Sequence, residues 1–187
     1  MSMHKWVRAG AATAAALVAS GALTLNSDAL NRMLSRWEGD GQNTVYADKL
    51  AGGLPTVCRG LTKHTVDEQV IVGDYWSPEK CAEIERRVVE EGQIEVASCL
   101  PATIKQGAFD AASDMGHHFG SPKVCARRAV GLMWDGKWEE ACNAFAHAPS
   151  GKPVWSYITR PDGSHQFVQG LYNRALDRRK LCLSDLD

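Results

Sequence analysis

A glutamate at the end of an apolar helical stretch, Trp37-Glu38-Gly39, is followed by a second carboxylate in Tyr46-Ala47-Asp48 and by a hydroxyl in Pro55-Thr56-Val57. Cutting the bond between two sugars asks for one carboxylic acid that hands its proton to the leaving oxygen. It also asks for a second polar group that holds water or stabilises charge. Glu38, next to Trp37 on an apolar helix, has the setting the first role needs, and Asp48, among glycines and polar residues, has the setting for the second. Two carboxylates ten residues apart also occur as ordinary solvated side chains, so the pair alone does not decide the matter.

The elements that must position these groups follow from periodicity. Leu30, Met33, Leu34 and Trp37 share one face of a helix that starts behind a Ser27 or Asp28 cap and delivers Glu38. From Gly39 to Thr62, glycines at 39, 41, 52, 53 and 60 alternate with short apolar pieces, the pattern of turns joining two or three short strands. Beyond that the chain reads as helical. Ser77-Pro78 and Ser121-Pro122 each place a capping residue before a proline, and the second starts a helix with Val124, Cys125, Ala129, Leu132 and Met133 that runs to the turn at Asp135-Gly136. Ile104, Ala108, Ala111, Ala112 and Met115 form one stripe, Trp138, Ala141, Cys142 and Phe145 another, and Val168, Leu171, Tyr172, Ala175 and Leu176 build the last helix. Pro149 to Gly163 reads as loop, which leaves residues 39–62 as the one β-like stretch. The expectation is an α+β protein: a small β lobe of about residues 38–62, a larger helical lobe, and a cleft between them.

The 187 residues are 44% hydrophobic and 23% charged with a net charge of -1, which excludes extensive disorder and gives no basic field for nucleic acid. Nothing in charge or composition argues for an oligomer, and a monomer is expected. Six cysteines, at 58, 81, 99, 125, 142 and 182, form no CxxC pair and lack zinc-finger spacing. An even, dispersed set suits disulfides in an oxidising compartment, against the alternative of buried thiols in a cytosolic protein. The N-terminus favours export. Lys5 and Arg8 precede 17 uncharged residues, Ala9 to Leu25, eight of them alanine. Such a stretch is barely long and apolar enough to span a bilayer. It is expected either to be cleaved or to remain as a weak anchor, with everything after Ser27 outside. The alternative is an Ala-rich helix buried in the domain.

The run Glu38-Gly39, Tyr46-x-Asp48, Gly53-x-Pro55-Thr56-Val57-Cys58-x-Gly60-x-Thr62 resembles the signature of the tailed-phage lysozymes, glycoside hydrolase family 24. In particular it is similar to the branch with Val-Cys in the turn, the exported signal-anchor-release endolysins. The likeness runs from about residue 30 to 183 and includes Glu79-x-Cys81, Gly107 to Gly116, Ala141-Cys142 and Gly170-Leu171-x-x-Arg174 ahead of Cys182. It implies a lysozyme-like fold and a muramidase that cuts the β-1,4 bond between N-acetylmuramic acid and N-acetylglucosamine of peptidoglycan to lyse the host. Glu38 is then the general acid, Asp48 and Thr56 hold the hydrolytic water, and neither cofactor nor metal is needed. Residues 1–27 become a signal-anchor segment, held in the inner membrane through residues 9–27 until release into the periplasm, and residues 28–187 the catalytic domain. The resemblance also implies the pairing Cys58–Cys81, Cys99–Cys125 and Cys142–Cys182. The chain departs from the family in two longer gaps, around Gln42-Asn43 and Lys49 to Gly53, and in Ala175 where a second arginine is common. A lytic transglycosylase acting on the same bond and a secreted glycan-binding protein are the rival readings.

Other features are expected to be structural. His117-His118 point about 100 degrees apart on a helix, a poor geometry for one metal ion. Trp76, Trp134, Trp138 and Trp155 suit core or partial-core packing, and Arg127-Arg128 and Arg178-Arg179-Lys180 suit solvated helix faces.

Overall fold

The computed structural model describes residues 12–39, 41–49 and 51–186. Lys5, Arg8 and residues 9–11 of the charge-free stretch lie outside these. The fold is of the α+β class, and the chain divides into two compact units: Asn31–Glu91, and the described residues up to Leu30 together with those from Gly92 onward.

In the unit of Asn31–Glu91, helix α2 (Asp28–Glu38) arrives with Met33 and Leu34 buried and stops at Glu38, because Gly39 takes φ +70. A three-stranded antiparallel sheet follows in the order β1 (Gln42–Asp48), β2 (Leu54–Cys58), β3 (Leu61–Thr62). Tyr46 pairs with Thr56 and Asp48 with Leu54, whereas Gln42 pairs with Cys58. The register therefore shifts between Gln42 and Tyr46, where β1 carries more residues than the strand opposite. Both long gaps of the sequence are absorbed here, one in this irregularity and the other in the β1–β2 turn. Residues 73–76 lie along the outer edge of β1, with Gly73 N donating to Val45 O (2.9 Å), Val45 N to Asp74 O (2.8 Å) and Trp76 N to Asn43 O (2.8 Å). An edge covered in this way is protected from pairing with other chains. Val45, Val57, Leu61, Val70, Trp76, Cys81 and Ile84 form the core of this unit. The 20-residue helix α3 (Pro78–Ala97) starts under the predicted Ser77 cap, whose Oγ accepts from Lys80 N at 3.2 Å.

The other unit is helical: α1 (Ala14–Ala19), α4 (Gln106–Phe119), α5 (Ser121–Cys125), α6 (Arg128–Trp134), α7 (Trp138–Asn143) and α8 (Gln169–Leu183). At its centre is α4, in which every residue from Gly107 to Gly116 is buried, so this stretch of the helix has no solvent face. Close approach makes Gly107 obligatory, since a Cβ there would lie 2.4 Å from the Leu181 carbonyl oxygen of α8. The N-terminal stretch packs into this unit. Ala14 and Leu23 are core residues, Ala14 N donates to Leu100 O (2.8 Å) and Ala102 N to Ala12 O (3.2 Å). The Gln106 amide takes both backbone groups of Thr24, at 2.8 and 3.0 Å. The disulfides are Cys58–Cys81, Cys99–Cys125 and Cys142–Cys182. They match the pairing the resemblance implies.

Three expectations need correction. Residues 149–163 are not all loop: β4 (Tyr157–Thr159) and β5 (His165–Phe167) form a hairpin around Pro161-Asp162-Gly163. The stretch after Ser121-Pro122 is two helices, broken at Ala126-Arg127, with Gly120 rather than Ser121 at the first N-cap. Arg178 is not solvated but completely buried, because a buried aspartate of α4 compensates its charge.

Candidate active site

Glu38, Asp48 and Thr56 all belong to the unit of Asn31–Glu91. Glu38 is the half-buried last residue of α2, and Trp37 beside it lies against Arg36, whose guanidinium carbon is 5.5 Å from the ring centre. Thr56 sits opposite Tyr46, and Asp48 is two residues beyond Tyr46. Because side chains alternate along a strand, Thr56 and Asp48 share one face of the sheet as diagonal neighbours. Thr56 is 4% exposed, and its hydroxyl donates to Leu54 O at 3.0 Å. With its proton committed there, Oγ1 presents lone pairs, which is what an oxygen that orients water through its hydrogens requires. Asp48 ends β1 and organises the following turn. Its carbonyl accepts from Ala51 N (3.1 Å) and Gly53 N (2.7 Å), and its Oδ1 accepts from Ala51 N (3.3 Å). Gly52 and Gly53 take φ +69 and +85 in that turn, which a side-chain-bearing residue rarely adopts. Chemically the unit offers an acid at a helix terminus and, on the sheet, a carboxylate and a hydroxyl acceptor on one face.

Two buried carboxylates of α4 did not stand out in the sequence. Asp114 receives Arg174 (Nη2 at 2.7 Å, Nε at 3.3 Å) and Arg178 (Nε at 2.5 Å), and Arg178 Nη2 donates to His118 Nδ1 at 2.9 Å. Burial pushes the Asp114 carboxyl up, but the Arg178 and Arg174 guanidiniums outweigh it and hold the group below the usual range. Asp110, one turn earlier, is held by neutral donors. Its oxygens accept from Ser27 Oγ (2.6 Å) and Gln106 Nε2 (2.7 Å), and Ser27 Oγ in turn accepts from Leu30 N at 3.1 Å, capping α2. Desolvation raises Asp110 to about 6 against the lowering effect of these two bonds, with a further push from Asp185. A folded pKa above the unfolded 3.8 means stability that is fully present below pH 3.8 and lost as pH rises through about 6. This group alone therefore makes unfolding easier by about 1.4 kcal/mol per pH unit inside that window. Asp110→Asn is expected to flatten the slope and to raise the melting temperature at pH 7.5. Urea melts of both proteins from pH 4 to 7.5 check this, and parallel slopes would count against it.

His118 stacks on Phe119 with ring centres 4.1 Å apart, and His117 is exposed. Among the described residues no group of three or more His, Cys, Asp or Glu side chains is placed to hold a metal ion. Trp76 is buried, and Trp134, Trp138 and Trp155 are partly buried, as expected of packing residues. Arg127 is exposed but lies over Trp155 at 4.5 Å.

A helix-terminal glutamate is thus followed by a short antiparallel sheet with Asp and Thr on one face, within an α+β fold, and the match to a family of lysozymes makes the chain a glycoside hydrolase of lysozyme type. The sequence profile of the phage lysozyme family matches residues 35–178, and the chain belongs to that family. Its substrate is accordingly bacterial peptidoglycan. No curated protein matches the chain. Among solved structures it is similar to an endolysin from the Escherichia coli O157:H7 phage FAHEc1, at 20% identity over 87% of this chain and 94% of that one, with a TM-score of 0.71. The muramidase domain of SpmX from Asticaccaulis excentricus gives 17% identity over 87% and 99%, with a TM-score of 0.69. The active form of the P1 phage endolysin Lyz gives 17% over 93% and 93%, with a TM-score of 0.65. At these identities the likeness speaks for the fold.

Proposed function

We propose that this protein is a phage or prophage endolysin that hydrolyses the β-1,4 bond between N-acetylmuramic acid and N-acetylglucosamine, with Glu38 as general acid and Asp48 and Thr56 holding the attacking water. The observation that carries this reading is the shared sheet face of Asp48 and Thr56 in the same unit as the helix-terminal Glu38. Water bound between a carboxylate and a hydroxyl acceptor is suited to hydrolysis rather than to internal cyclisation of the muramic residue. A digest of purified peptidoglycan is expected to gain reducing ends without anhydro-muramic ends. Anhydro products would instead indicate a transglycosylase, and binding without turnover a glycan-binding protein.

The export reading is part of the same proposal. The enzyme is delivered to the inner membrane by residues 9–27 as a signal-anchor segment and acts in the periplasm as a monomer once released. The charge-free stretch behind Lys5 and Arg8 supports the anchor. The packing of Ala14 and Leu23 into the helical unit supports a segment that has a second place to bury its apolar surface once it leaves the bilayer. Among the described residues no helix is long and apolar enough to cross a membrane. In Gram-negative cells the full chain is expected in the inner-membrane fraction, and in the soluble periplasmic fraction after the membrane potential is collapsed. A chain that is soluble from the outset would remove the anchor.

A further inference from the structure

We infer that Arg59 is a positioning residue for the proposed reaction: together with Glu85 and Ser35 it fixes the turn of α2 that ends in Glu38 against the strands that carry Thr56 and Asp48. The inference rests on the catalytic reading above and extends it to residues outside the motif that carried that reading. Arg59 stands in the β2–β3 turn, three residues after Thr56. Its backbone N donates to Glu85 Oε1 (2.9 Å), its Nε to Glu85 Oε2 (2.9 Å), and its Nη2 lies 2.7 Å from the same oxygen. Its remaining arm, Nη1, donates to Ser35 Oγ at 2.9 Å. One guanidinium thus ties together three elements: the turn behind β2, helix α3 through Glu85, and helix α2 through Ser35. The Arg59 and Glu85 side chains are 32% and 14% exposed, so the pair is largely withdrawn from water and its geometry is worth more than that of a surface ion pair.

The neighbouring cross-link shows what is specific to Arg59. Cys58–Cys81 already fastens the same turn to α3, one helical turn before Glu85, and covalently. For holding the sheet on α3 the ion pair is therefore redundant. Among the contacts described, the bond to Ser35 is the one through which this hub reaches α2. Ser35 lies three residues before Glu38, on the same side of the helix as the acid. The chain leaving Glu38 presses on the same place: a Cβ on Gly41 would lie 2.6 Å from the Cys58 carbonyl carbon and 3.0 Å from Arg59 N. Helix end, connecting segment and strand turn all converge on Cys58-Arg59. The separation of the acid from the water-holding groups decides whether a water fits between them. A misplacement of about 1 Å costs on the order of 100-fold in rate, so a device that fixes this separation acts on turnover rather than on substrate binding.

The test is steady-state hydrolysis of soluble peptidoglycan fragments by the oxidised full chain and its Arg59→Ala, Glu85→Gln, Ser35→Ala, Ser35→Thr and Glu38→Gln variants. Each variant is checked for fold by near-ultraviolet circular dichroism. Arg59→Ala is expected to lose on the order of 100-fold in kcat with KM changed by less than about twofold. Ser35→Ala is expected to show a smaller loss of the same kind, with Ser35→Thr, which keeps the hydroxyl, restoring the parental kcat. Should Arg59→Ala not fold, the Ser35 pair and Glu85→Gln decide. Parental kcat in Arg59→Ala and Ser35→Ala beside an inactive Glu38→Gln would overturn the positioning role alone, as would losses confined to KM. A fully active Glu38→Gln would overturn the acid assignment, and the positioning role with it.

Discussion

Glu38→Gln is expected to lower the release of reducing ends from purified peptidoglycan by about 100- to 10,000-fold, the range that a positioned general acid contributes. The melting temperature is expected to stay close to that of the parent. The amide has the shape of the acid and occupies the same half-buried place at the end of α2, so the helix, its Gly39 stop and the Trp37 contact are undisturbed. What is removed is the proton for the departing sugar oxygen, which no water can deliver with comparable geometry. If Glu38, Asp48 and Thr56 act as one unit, the losses are not additive. Adding Asp48→Asn to Glu38→Gln then costs much less than Asp48→Asn costs in the parent. Additive losses would mean that Asp48 serves something other than the same transition state, such as the turn it organises through Ala51 and Gly53. Parental activity in Glu38→Gln would sink the assignment outright.

How far the sequence reached is seen best by comparing the two units. Residues 38–62 were legible because a helix stop, a hairpin and its turns are local events written in glycines and alternation, and the site residues hang directly on them. The disulfide pairing was not a local property. Three bridges with separations of 23, 26 and 40 residues bring together cysteines that only the resemblance could match. The β4–β5 hairpin escaped because its strands have three residues each and are exposed on both faces, so no apolar alternation marks them. Its signal was the turn itself, Pro161-Asp162-Gly163 between Tyr157-Ile158-Thr159 and His165-Gln166-Phe167. Arg59 carried no mark at all, since its partners Ser35 and Glu85 lie 24 and 26 residues away on two helices. Arg178 misled in a general way. A charged triplet at a helix end reads as solvated until its counter-charge is found, and that counter-charge sits 64 residues earlier in the buried stripe of α4. Asp110 and Asp114, charged residues inside an otherwise uncharged run, were the available clue that this helix would need partners for its charge.

Asp114→Asn is expected to destabilise the protein by about 3–5 kcal/mol, the usual cost of stripping the counter-charge from a buried ion cluster. At roughly 2–4 °C per kcal/mol for a chain of this size, the melting temperature falls by about 6–20 °C. Asp114 is fully buried, and Arg174 and Arg178 are 5% and 0% exposed, so neither guanidinium can turn to water when the charge disappears. The same chemical change one helical turn earlier has the opposite sign at neutral pH. Asp110 is held by neutral donors and raised to about 6, so removing its charge relieves a desolvation cost, whereas Asp114 is held low by two cations and removing its charge exposes theirs. Identical residues on one helix thus separate burial from pairing as the cause of each effect. A double variant, Asp114→Asn with Arg178→Met, is expected to recover part of the loss, because one of the two uncompensated charges leaves with its partner. Arg174 still points at the amide in that protein, which limits the recovery. Thermal melts of the oxidised proteins at pH 7.5 measure all four. A small change in Asp114→Asn would mean that the arginines find other acceptors, His118 being the one already in contact with Arg178.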